Sequence, residues 1–205
     1  MDKNKEVDKI IKSWIGIAIQ DFYLAFVLGW NWAYQRAFFL EQGVEKILKA
    51  YILKKRESEF KNFDNEAREN KIDKICREYQ HNIEKLVKDT SNNEIQRLLD
   101  KDYDGYQGRL LVEKLPLIFE ESRYLVPKNK SSAVPHKKYQ RLETLPIYSS
   151  GLDKFCFAIG KKVLEILSKE FSIELKKEDI QKLCAATFDL TDNSIDRFCR
   201  VFFKE

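Results

Sequence analysis

Glycine and proline are scarce, with 7 Gly and 4 Pro in 205 residues, less than half of the roughly 12% that an ordinary chain carries. All four prolines fall between Pro116 and Pro146, and no glycine lies between Gly43 and Gly105. A sandwich, a barrel or a doubly wound α/β fold needs a breaker about every ten residues. These absences exclude β-rich architectures and glycine-fingerprint nucleotide folds, and they favour long helices. Histidine is rarer still, with only His81 and His136, and the four cysteines (Cys76, Cys156, Cys184, Cys199) have no metal-ligand spacing. A structural zinc site is not expected, and no cofactor or metal is implied. Scattered thiols read as reduced and the chain as cytoplasmic. Residues 1–12 are charged throughout, unlike a secretory leader.

What is present is a globular composition, 43% hydrophobic and 34% charged, too apolar for wholesale disorder. A net charge of +4 permits a polyanionic partner without demanding one. The 27 lysines outnumber the 10 arginines, and lysine is a solubilising point charge more than a planar fork for phosphate. Residues 14–34 carry one formal charge, Asp21, over a length that could span a bilayer. Gln20 and Asp21 would lie inside that span, where a charge costs about 2.5–3.5 kcal/mol. The apolar spacing continues into charged sequence, so the segment reads as a core helix and no membrane partner is expected.

Helical periodicity predicts helices over 7–28, 32–56, 72–88 with an extension at 92–99, 109–124 and 151–169, and two short ones over 177–188 and 192–203. Glu41, Glu45 and Lys49 follow at fours on the second helix as a polar track, while Asp21, Gln42 and Glu45 also read as an inward polar network joining the first two helices. Pro116 predicts a kink, and 126–150 reads as a long loop. The fold class is all-α, an up-and-down bundle of four to five helices (1–170) with a short C-terminal helical extension (171–205).

The second helix carries Ala37-Phe-Phe-Leu-Glu-Gln-Gly-Val-Glu-Lys-Ile-Leu-Lys-Ala50. This resembles the A-F-x-x-Q-Q-A-x-E-K-x-L-K-A signature of HEPN domains (higher eukaryotes and prokaryotes nucleotide-binding). Gln42, Glu45, Lys46, Leu48, Lys49 and Ala50 match in register, and Glu41 and Gly43 depart from it. Trp14, Ala18, Asp21 and Leu24 are similar to the family's first helix. His81-Asn-Ile-Glu-Lys-Leu86 resembles the H-D-L-x-x-L that opens its third helix, and Glu121-Ser-Arg-Tyr124 resembles the E-A-R-Y that ends its fourth. The resemblance covers residues 12–169. It implies a bundle that is frequently dimeric and often encoded beside a minimal nucleotidyltransferase, as in toxin–antitoxin or defence systems. Members bind nucleotides or nucleic acids, cleave RNA, or act as non-catalytic partners.

Three constellations bear on that choice. The family's ribonucleases place four to six residues between an Arg and a following His, where this chain has three, and the pair supplies a cation for phosphate and a base or acid near neutral pH. Arg77 and His81 are the catalytic candidates here, since positions four apart on one helix share a face. The stretch 127–141 holds Lys128, Lys130, Lys137, Lys138 and Arg141 with no acid, beside His136 and Tyr139. Together with Arg123, Lys46 and Lys49 these are the candidate nucleotide or RNA ligands. Asp100-Lys-Asp-Tyr-Asp-Gly105 matches the opening of an EF-hand loop, but Leu111 stands where the bidentate Glu belongs, so it reads as an acidic turn. The expectation is a nucleotide- or RNA-binding helical protein, a homodimer, served by or serving a nucleotidyltransferase. A metal-independent ribonuclease and a non-catalytic dimerising module are the alternatives.

Overall fold

The computed structural model describes residues 3–29, 32–123, 149–185 and 192–203. It is all-α, with nine α-helices among the described residues: α1 (Lys3–Leu28), α2 (Ala33–Lys55), α3 (Asn65–Arg77), α4 (Ile83–Thr90), α5 (Asn93–Leu99), α6 (Gly108–Arg123), α7 (Ser150–Phe171), α8 (Lys177–Ala185) and α9 (Asp192–Phe203). A small hairpin, β1 (Asp102–Tyr103) and β2 (Tyr106–Gln107), joins α5 to α6.

The α1–α2 hairpin is the largest helix contact, and α2 also packs against α4, α6 and α7. Surrounded in this way, α2 buries residues on every side, including Arg36, Glu41, Glu45, Lys49 and Lys54. A helix buried all round is normally apolar all round, so its polar side chains need partners inside the fold. Half of the most apolar window of Lys5–Leu28 in α1, a stretch long and apolar enough to cross a membrane by length and composition, is buried inside the fold.

Helix contact is close where side chains are small. A Cβ added at Gly43 would stand 2.8 Å from the Phe22 ring, and one at Gly160 would stand 2.9 Å from both Phe22 and Phe202. Phe22 of α1 therefore wedges between α2 and α7. Its ring lies 5.2 Å from Phe202, which stacks with Phe198 at 5.2 Å. These rings bring α9 into the core, helped by the Tyr23 and Ser194 hydroxyls, 2.8 Å apart. Gln20 Nε2 donates to the Leu183 carbonyl at 3.1 Å, tying α8 to α1.

The single helix expected over 72–88 is two helices. Asp64 accepts from the Ala67 amide at 2.9 Å and starts α3 inside the polar stretch. After Arg77 the backbone turns through Gln80 at φ 47, and Asn82 accepts from the Lys85 amide at 2.8 Å to start α4. A side chain that caps stops the preceding helix and begins the next. Between α5 and α6, Asp104 (φ 55) and Gly105 (φ 88) form the two-residue turn of the hairpin, the Asp-Gly chemistry that such turns favour. The helix α6 runs through Pro116. Residues 124–148, nearly all of the long loop, lie outside the described residues.

Candidate functional site

The polar side chains of the α1–α2 hairpin meet at the turn before α4. Lys46 Nζ lies 2.5 Å from Asp21 Oδ2. One turn further along α2, Lys49 donates to Glu45 Oε1 and, at 3.2 Å, to the carbonyl of Gln80. The other oxygen of Glu45 lies 2.9 Å from His81 Nδ1. Glu41 completes the group from the preceding turn of α2. It is fully buried, accepts from Gln42 Nε2 at 2.7 Å, and its Oε1 has no hydrogen-bond partner. One ligating atom each from Glu41, Glu45 and His81 lie within 4.8 Å of one another.

The polar track expected on α2 is therefore a buried seam: Glu41, Glu45 and Lys49 are 0%, 4% and 8% exposed. Helical spacing aligned them correctly, but helices on all sides of α2 exclude the water that such a track ordinarily faces. Burial and the neighbouring Glu45 carboxylate hold the Glu41 carboxyl well above the usual carboxylate range. Burial also raises Asp21, against the pull of Lys46. These directions follow from desolvation disfavouring the charged form. Burial pushes the nearby Cys76 thiol up to about 11, which leaves it a poor nucleophile at neutral pH.

Of the inward network expected of Asp21, Gln42 and Glu45, Gln42 Nε2 lies 3.5 Å from Glu45 Oε2, whereas Asp21 is tied to Lys46 instead; Lys49 and His81 join Glu45. Lys46 and Lys49 are committed to buried carboxylates. Arg77 ends α3, is 80% exposed and pairs with Asp73 at 2.7 Å. His81 follows a turn, not a continuous helix, so the helical face expected to align Arg77 with His81 is not formed. Helix α6 ends at Arg123, and Lys128, Lys130, His136, Lys137, Lys138, Tyr139 and Arg141 lie outside the described residues.

In the acidic turn, each aspartate has its own partner. Asp100 accepts from Arg109 at 2.8 Å, Asp102 from the Gly105 amide at 2.9 Å, and Asp104 from Lys154 at 2.6 Å. Ser150 also donates to Asp104. The side chains are used to fix the hairpin and dock it on α7. Sequence reasoning missed Glu41 and the Glu45–His81 contact. The available signal was the Glu-x-x-x-Glu spacing on a helix that also carries an apolar stripe. No family model matches this chain, and no curated protein and no solved structure matches it either.

Proposed function

We propose that this chain is a HEPN-like helical bundle that binds a nucleotide or RNA, without strong catalysis of its own. The observation that supports this reading is the gathering of its signature residues along α2: Asp21 pairs with Lys46, Glu45 joins Lys49 and His81, and these residues come from three separate motifs. Asn82 stands where the signature has aspartate, and its side chain caps α4 by accepting from the Lys85 amide. The seam uses its own lysines internally, so phosphate contacts fall to the basic stretch, Lys128, Lys130, Lys137, Lys138 and Arg141, with His136 and Tyr139 for stacking. Homodimerisation and a separately encoded nucleotidyltransferase partner belong to the same reading.

Filter binding of radiolabelled ATP and a short RNA at two salt concentrations tests it. Binding is expected at low salt, falling as salt rises, and a Lys137→Glu, Lys138→Glu, Arg141→Glu variant is expected to lose at least about tenfold in affinity. Absence of binding to both probes at low salt sinks the reading. Cleavage of the RNA that disappears in Arg77→Ala and His81→Ala variants would favour the ribonuclease instead.

A further inference from the structure

We propose that Glu41, Glu45 and His81 form a binding site for a first-row divalent metal ion. The proposal stands on the geometry of three side chains and on one orphaned oxygen, and it is independent of any nucleotide. Glu41 and Glu45 are four residues apart on α2, so their carboxyls leave the same face one turn apart. The third group is the imidazole of His81, delivered by the turn before α4. Two carboxylates and an imidazole are a donor set suited to manganese, iron or zinc in the divalent state.

Distances agree with this. Two ligand atoms each about 2.1 Å from an ion and at about a right angle are about 3.0 Å apart, and His81 Nδ1 lies 2.9 Å from Glu45 Oε2. Ligands on opposite sides of an ion would be about 4.2 Å apart by the same bond length. The three ligating atoms lie within 4.8 Å of one another, somewhat wider than that span, so an ion would draw them together.

The independent observation is Glu41. Asp21 is held by Lys46, and Glu45 by Lys49. Glu41, the most buried of the three acids, forms no ion pair among the described residues: its partners are the neutral amide of Gln42 and the Glu45 carboxyl, and its Oε1 accepts from no donor. A buried carboxyl oxygen left in this way costs free energy, and the Glu41 carboxyl lies against that of Glu45, where a cation would satisfy both. Lys49 takes only Oε1 of Glu45 and leaves Oε2 on the His81 side. Lys49 also fixes the turn through the Gln80 carbonyl, the kind of outer contact that orients metal ligands. The His81 side chain is 42% exposed, which gives an ion a route from solvent and leaves room for water ligands.

The test uses the full chain, stripped with chelator and titrated calorimetrically with manganese and with zinc. Manganese is also followed by the loss of its free-ion electron paramagnetic resonance signal. One equivalent of at least one of the two metals is expected to bind. Glu41→Gln and His81→Gln are each expected to weaken that binding at least tenfold. Both variants keep side-chain volume and polarity, and circular dichroism confirms their fold. Metal is expected to raise the melting temperature of the wild type and not of the variants. The proposal is overturned if neither metal binds at millimolar concentration, or if both variants bind as the wild type does. Because no nucleotide enters the assay, a failure here is separate from a failure of RNA binding.

Discussion

Lys49 shows how one side chain decides whether a buried seam is tolerable. Its ammonium joins Glu45 with both side chains nearly out of solvent, and it reaches across to the Gln80 carbonyl. Removing it leaves Glu45 as a buried charge facing Glu41, with His81 and, at 3.5 Å, the Gln42 amide beside it. Breaking such a pair costs about 3–5 kcal/mol, whereas replacing both partners by neutral groups of similar size costs far less. Lys49→Met is therefore expected to lower the unfolding free energy by about that amount in urea denaturation. The double variant Lys49→Met, Glu45→Gln should recover most of it. If the single variant cost under about 1 kcal/mol, the pair would be behaving as an exposed one. The sequence shows Glu45 and Lys49 four apart, which is also the commonest pattern of a solvated helix face. What distinguishes the two cases is the set of helices around α2, and that is a property of the tertiary fold. His81 lies 36 residues from Glu45, beyond the reach of any helical periodicity.

At the scale of elements, caps decided where periodicity alone was blind. The apolar spacing of 72–88 continues through residues 78–82, and it reads as one helix. The Asn82 side chain binds the Lys85 amide, and Gln80 takes a left-handed conformation, so the chain turns and delivers His81 to α2. Asn82→Ala is expected to cost about 1 kcal/mol, the usual value of an N-cap. It should also loosen the turn, so hydrogen exchange at the first amides of α4 should rise more than elsewhere. Uniform exchange across the chain would mean that the cap contributes only to global stability. The hairpin follows the same lesson. Asp104-Gly105 is a strong two-residue turn signal, yet its strands are only two residues each, too short to show alternation. The long helices α1, α2 and α7 were legible because their apolar stripes persist over five or more turns.

For the whole molecule the question is whether the last two helices share the core or merely lie on it. Phe198 is fully buried and sits 5.3 Å from Tyr23, 5.7 Å from Phe26 and 5.2 Å from Phe202. Phe202 in turn contacts Phe157 of α7 at 5.5 Å and the Phe22 ring that fills the space beside Gly43 and Gly160. A chain of rings thus runs from α9 through α7 to the α1–α2 hairpin. The sequence placed a boundary near residue 170 because the family resemblance stops there, and resemblance does not track burial. The physical cue was the Phe198, Phe202 spacing, two large rings four apart on one face of a helix of 12 residues, which are buried while Val201 beside them stays exposed. Truncating a buried phenylalanine costs about 3–5 kcal/mol, part of it from the cavity left behind. Phe198→Ala is therefore expected to lower global stability by about that amount. The effect should appear in one cooperative transition seen identically by far-ultraviolet circular dichroism and by tryptophan fluorescence, because Trp14 lies on α1, far from α9 in sequence. If the helical signal instead lost a small early step while the rest unfolded at the wild-type midpoint, α8 and α9 would be a separate unit. The ring contacts argue against that: removing Phe198 also strips atoms from around Tyr23 and Phe26 on the central hairpin, and those residues cannot be weakened without the fold they anchor.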